Sequence, residues 1–145
     1  MTQEDKELLL QDLCGRLPYN VRMLEIEPTN NIKLELYLSS ITSQGTCCVS
    51  TNDGGIMCSS IDAFKPYLFP MSSMTKEQLA ELRMEHEKDL KNMAICMKKC
   101  SEGDNSLRGK NISYNGVDWC NRNHFDYHGL IEKGLAIDAT NLNIY

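Results

Sequence analysis

Hydrophobic residues recur along this chain with two different periods. Over residues 2–17, Leu9, Leu10, Leu13, Cys14 and Leu17 return every three or four positions, the spacing of one helical face. Thr2 is placed to cap this helix and acidic residues fill its first turn. Pro18 ends it, because the residue before a proline is pushed away from helical angles. A helix with one apolar face needs a surface to dock on. Between residues 20 and 72 the period drops to two. Ile32, Leu34, Leu36 and Leu38 alternate with Lys33, Glu35 and Tyr37, which predicts a strand with its aliphatic residues buried together. Residues 21–27 supply a partner strand across a turn at Pro28, Thr29, Asn30 and Asn31. Residues 46–50 and 56–58 flank Asn52, Asp53, Gly54 and Gly55, a hairpin signal because positive φ costs glycine little. A single turn over 62–65 then leads into an extended run over 66–70. Several short strands in so small a span predict a strongly bent sheet or barrel of SH3-like size.

Helical spacing returns at Thr75. Thr75 and Gln78 have the positions of a capping box, and the helix that follows is predicted to run to Cys100. Leu79, Leu82, His86, Leu90, Met93, Met97 and Cys100 form its apolar stripe. Residues 101–110 read as a polar loop. A second helical region opens near Asn115, anchored by Val117, Trp119, Cys120 and Phe125, and a short helix over 130–133 is stopped by Gly134. Residues 135–137 then run extended. The pattern predicts one α+β domain over 1–145: an N-terminal helix (1–18), a small β module (19–74), a long helix (75–100) and a loop with a helical C-terminal region (101–145).

Composition places this fold in an ordinary setting. A chain of 145 residues with 41% apolar and 24% charged side chains is long enough to bury a core without metal or disulfide staples. No apolar run approaches the roughly 18 residues of a spanning helix, so no membrane partner is expected. The acidic opening stretch, Glu4 and Asp5, is unlike a secretory leader, and the expected location is the cytoplasm. A net charge of −5 without a run of basic residues longer than Lys98 and Lys99 argues against a sequence-independent grip on nucleic acid. The seven cysteines are odd in number and contain no Cys-x-x-Cys pair, so they are read as reduced, mostly buried thiols.

Some residue sets bear on chemistry. Cys96 and Cys100 lie one helical turn apart, and Cys120 and His124 repeat that spacing, so the four together offer three thiolates and an imidazole to zinc. The tight knuckle spacing of zinc sites is missing, and packing in the core is the favoured reading. His124, Asp126 and His128 share one side of an extended segment, a possible metal set, whereas on a helix they spread apart. The favoured reading is a turn with Phe125 buried. His86, on the apolar stripe, is read as a satisfied core or boundary residue rather than a ligand. No catalytic motif appears, so neither catalytic residues nor a cofactor is assigned. Tyr67 and Phe69 are candidates for an interaction surface, since aromatic residues are favoured at interface centres.

Three stretches carry a resemblance: residues 8–19 (Leu8 to Tyr19), residues 65–75 with Lys65, Pro66, Tyr67, Leu68 and Phe69, and residues 118–136 from Asp118 and Trp119 to Leu135 and Ala136. In these the chain resembles a family of uncharacterised small proteins of gut Bacteroidetes and their prophages or other mobile elements. The resemblance implies a bacterial or phage origin and an intracellular location, and brings no activity or ligand residues. The family pattern has leucine at the position of Cys120 and arginine at that of His128, which argues against a metal or catalytic role for either. The expected function is that of a non-enzymatic accessory or protein-interaction protein. The alternatives are a nucleic-acid-associated factor using the β module, and a metal- or thiol-dependent enzyme.

Overall fold

A computed structural model describes residues 1–26, 35–42, 44–101 and 114–145, with the backbone alone over 92–101. The chain divides into two compact units, Met1–Ser73 with His124–Tyr145, and Met74–Asn123. The fold is α+β. The expected turn at Pro28–Asn31, and Ile32, Lys33 and Leu34, lie outside the described residues.

The first unit opens with α1, Gln3–Arg16, capped by a reciprocal pair: Asp5 N donates to Thr2 Oγ1 and Thr2 N to Asp5 Oδ2. Pro18 does not end the helical path. Leu17 keeps right-handed helical angles and Leu17–Tyr19 continue as a 3-10 turn, which tolerates proline near its start. Asn20, at φ 54°, is where the chain turns away. Five strands follow: β1 (Arg22–Glu25), β2 (Leu36–Ile41), β3 (Thr46–Thr51), β4 (Ile56–Ser60) and β5 (Phe64–Pro70). Two short strands, β6 (Phe125–Asp126) and β7 (Ile137–Asp138), complete a sheet ordered β4-β3-β2-β1-β5-β6, with β7 also on β5. The sheet is open, so the expected barrel does not form. β5 is the reason: it pairs antiparallel with β1 through Phe64, Lys65 and Pro66, then parallel with β7 at Tyr67 and Leu68 and with β6 at Phe69 and Pro70. The strand that would have closed a barrel is instead occupied by the segment after His124.

Side-chain alternation sets the core. Leu36 and Leu38 from β2, Cys47 and Val49 from β3, and Phe64 and Leu68 from β5 are buried with Leu9 and Leu13 of α1. Leu130, Leu135 and Ala136 fill the same core from the C-terminal region. The region over 130–133, expected as a short helix, is a hydrogen-bonded turn ended by Gly134 at φ +69°. The hairpin between β3 and β4 turns at Gly54, whose φ of +87° suits glycine. Its register sets Cys48 opposite Cys58, and the two form a disulfide. This corrects the expectation of reduced thiols throughout. Cys47 and Cys48 point to opposite faces as neighbours on a strand must: Cys47 is a buried free thiol, and Cys48 meets its cross-strand partner outside the core.

The second unit consists of α2 (Lys76–Ser101) and α3 (Tyr114–Arg122). Thr75 and Gln78 form the expected capping box, with Gln78 N donating to Thr75 Oγ1 and Thr75 N to Gln78 Oε1. The face of α2 turned inward differs from the apolar stripe. Asp89 is buried, Gln78, Leu82 and Glu85 are half-buried, while Leu79, His86 and Leu90 are exposed. The helix is thus rotated by roughly a fifth of a turn from the apolar-stripe prediction. Asp89 accounts for this, because it accepts a hydrogen bond from Asn115 N in the first turn of α3 at 3.1 Å and neutralises that helix's positive end. Trp119 and Cys120 are buried.

Replacing Leu36 with Ala is expected to cost about 2–5 kcal/mol in urea unfolding, the range for a packed core leucine. Ile56→Ala, on β4 at 70% exposure, should change stability by less than about 0.5 kcal/mol. Equal effects at both positions would contradict the register of the sheet.

Candidate functional site

The densest set of buried polar groups in the first unit begins on α1. The apolar stripe of that helix suggested that residues 9, 10, 13, 14 and 17 face inward. Leu9 and Leu13 are fully buried and Leu10 and Leu17 pack half-buried against the core, while Cys14 is exposed and Asp12 and Arg16 join the buried face. Asp12 and Arg16 stand one turn apart and are completely buried. Arg16 donates from Nε to Asp12 Oδ2 at 2.6 Å and from Nη2 to Oδ1 at 2.9 Å, the bidentate geometry that suits guanidinium and carboxylate. The same Nη2 also donates to the Phe125 carbonyl at 2.8 Å, and the guanidinium lies over the Tyr127 ring, 5.4 Å from its centre.

His128 completes the set. Its Nδ1 is 3.0 Å from Asp12 Oδ1. Burial pushes the Asp12 carboxyl up, but hydrogen bonds from His128 and Arg16 outweigh it and hold the group below the ordinary carboxylate range. A carboxylate only accepts, so Nδ1 carries the proton and donates. The Asp–His pair thereby orients an imidazole with its Nε2 turned away from the carboxylate, the arrangement that serves general bases. A groove of about 310 Å³ beside α1 is lined by Gln3, Lys6, Leu10, Gly45 and Ile61 among others, and His128 does not line it.

The residues between Asn123 and Gly129 are distributed rather than convergent. His124 takes left-handed backbone angles, φ 59°, and its carbonyl accepts from Phe69 N at 2.9 Å, starting the β5–β6 pairing. Its ring stacks on Tyr145 with centres 4.0 Å apart. Burial first, then the charge of Arg16, lowers its pKa to about 4, and its Nδ1 is buried without a hydrogen-bond partner in the structure. Asp126 points elsewhere, accepting from Leu130 N at 2.9 Å and Ile131 N at 2.8 Å, and so caps the turn that follows. His124, Asp126 and His128 therefore serve three separate partners. Among the described residues no group of three or more His, Cys, Asp or Glu side chains is placed to hold a metal ion. Of the four-residue zinc set, Cys96 and Cys100 lie outside the described side chains, Cys120 is buried in the second unit, and His124 belongs to the first.

Phe69 is half-buried, with its ring against Phe125 (6.0 Å) and Tyr145 (5.7 Å). Tyr67 is also half-buried. Its carbonyl accepts from the Tyr145 hydroxyl, and it lines a small cavity with Arg22, Glu35 and Ile144. Asp12 and Arg16 escaped the sequence reading. The available signal was an Asp and an Arg four apart in a helix whose flanking positions 9 and 13 are leucines. Among the described residues no helix is long and apolar enough to cross a membrane. Comparison with protein-family models, with curated proteins and with solved structures returns no match for this chain.

Arg16→Leu is expected to cost about 3–5 kcal/mol in urea unfolding, since it leaves Asp12 buried beside a single partner. Adding Asp12→Leu should recover part of that loss. A change under about 1 kcal/mol on losing Arg16 would contradict the buried pair.

The folded pKa of His124, about 4, lies below the unfolded value of about 6.5. The unfolded chain therefore binds the proton first, and the stability due to neutral His124 is complete above pH 6.5 and lost as pH falls toward 4. Asn accepts the same left-handed backbone. His124→Asn should therefore flatten the melting temperature between pH 6.5 and 4, and an unchanged pH profile would contradict burial of the neutral ring.

Proposed function

We propose that this protein acts by binding another protein, and that the exposed flank of α2 is its contact surface. The observation that carries this reading is the exposure of Leu79 (40%) and Leu90 (54%). They lie three helical turns apart and within about 20° of one another around the axis, with exposed His86 between them. Rotation of α2 toward α3 sets Leu82 and His86 beside Gly116 of α3 and leaves Leu79 and Leu90 exposed on either side. A partner helix with its own apolar stripe is the chemistry that suits it, read through residues spaced three, four and seven apart. The resemblance to small proteins of gut Bacteroidetes and their mobile elements supports an accessory role of bacterial or phage origin. A cytoplasmic setting, where thiols are kept reduced, would require the Cys48–Cys58 disulfide to open and close.

The test is a photo-crosslinking residue at position 86 of the full chain, irradiated in an extract of the source cells. The expected product is an adduct that mass spectrometry maps to an amphipathic helix of one partner protein. It should disappear in the variant Leu79→Glu/Leu90→Glu, whose circular dichroism should match that of the parent. Absence of an adduct, or an adduct indifferent to the two charges, would overturn the reading.

A further inference from the structure

The β3–β4 hairpin lies in the first unit. β4 is the terminal strand of the sheet, and its five residues are exposed apart from half-buried Met57. Ile56 is exposed and Met57 only packs against the edge of the core, so little apolar burial holds β4 in place. Strands of this kind open locally more readily than central ones. What ties β4 down besides its backbone pairing with β3 is the bond from Cys58 to Cys48. The two Cα atoms are 4.1 Å apart, the short spacing of a pair that exchanges no backbone hydrogen bonds. Cys58 is exposed and Cys48 half-buried, so a dissolved thiol can reach the bond.

The end of β4 also shapes the groove beside α1. Ser60 and Ile61 form part of its wall with Gly45, and Ile61 N donates to the Gly45 carbonyl at 3.0 Å. Just beyond, Asp62 pairs with Lys6 of α1 at 2.7 Å. Movement of β4 therefore reaches the groove directly, since Ser60 is its last residue. The neighbouring thiol does not compete for the bond: Cys47 is buried on the opposite face, and burial raises its pKa to about 11, far from the thiolate that exchange requires.

We propose that the Cys48–Cys58 disulfide is a reversible redox latch, which holds β4 on the sheet when closed and loosens β4 and the groove wall at Ile61 when opened by a dithiol reductant. The thiolate of the reductant attacks Cys58 Sγ, forming a mixed disulfide as the Cys48–Cys58 bond breaks. Cys48 leaves as a thiolate and takes a proton. The second thiol of the reductant, deprotonated, attacks the reductant's own sulfur and closes its disulfide. Cys58 is released as a thiolate and is protonated in turn. Two electrons pass from the dithiol to the protein, and an oxidant of disulfide type reverses the step.

The test compares hydrogen exchange of the full chain before and after treatment with dithiothreitol under native conditions, with differential alkylation and peptide mapping to report each cysteine. The folded protein should lose the Cys48–Cys58 bond. Amides of residues 56–61 should then exchange at least tenfold faster, while those of β2 and β5 keep their rates. Reoxidation should restore the slow pattern, and Cys48→Ser/Cys58→Ser should reproduce the open one permanently. Three results would overturn the proposal: a bond that resists the dithiol while the protein stays folded, exchange in 56–61 that ignores its reduction, or acceleration that spreads equally to β2 and β5. The last would make the disulfide a staple of the whole unit, as would failure of the double serine variant to fold.

Discussion

A guanidinium with no access to water must find its partners inside the protein, and Arg16 finds them in two distant parts of the chain. Asp12 neutralises its charge from the preceding turn of α1, the Phe125 carbonyl accepts from it more than a hundred residues away, and the Tyr127 ring covers it. Asp12 in turn accepts a hydrogen bond from His128 Nδ1. Each group alone would be costly to bury, and together they offset most of that cost, with only Arg16 Nη1 left without a hydrogen-bond partner. The consequence is topological. The segment from His124 to His128 is held against α1, and β6 is delivered to the end of β5.

That delivery explains why the sheet stays open. β5 uses its first half to continue the antiparallel meander and its second half to pair, in parallel, with strands contributed by the chain after His124. His124 sits at the junction. Its left-handed backbone turns the chain out of α3 and into β6, its carbonyl makes the first bond to β5, and its neutral ring lies flat on Tyr145. The residues that looked most like a metal set are thus spent on folding: one stacks, one caps a turn and one donates to a buried carboxylate.

The exposed apolar residues of α2 and the exposed edge strand are what this packing leaves over. In the second unit the carboxylate of Asp89, buried to cap α3, draws the helix round so that Leu79 and Leu90 face outward. In the first, the edge strand β4 is held by a covalent bond rather than by buried side chains. Both features follow from polar or covalent bonds that outrank the apolar pattern locally.

Local chemistry was legible in the sequence wherever the determinant lies within a few residues. The caps at Thr2 and Thr75, the alternation that buries Leu36 and Leu38, the turn at Gly54 and the stop at Gly134 depend only on backbone preference and on side chains three or four positions away. The facing of Cys48 and Cys58 was also within reach, since both strands count outward from that turn. The apolar residues of α1 that face inward were largely legible, but the polar members of the inward faces of α1 and α2 were not, because each helix buries a carboxylate whose partner comes from elsewhere: His128 for Asp12, Asn115 for Asp89. The pairing of β5 with β6 and β7 was equally hidden. A two-residue strand has no periodicity of its own, and only contacts made after the chain returns can define it.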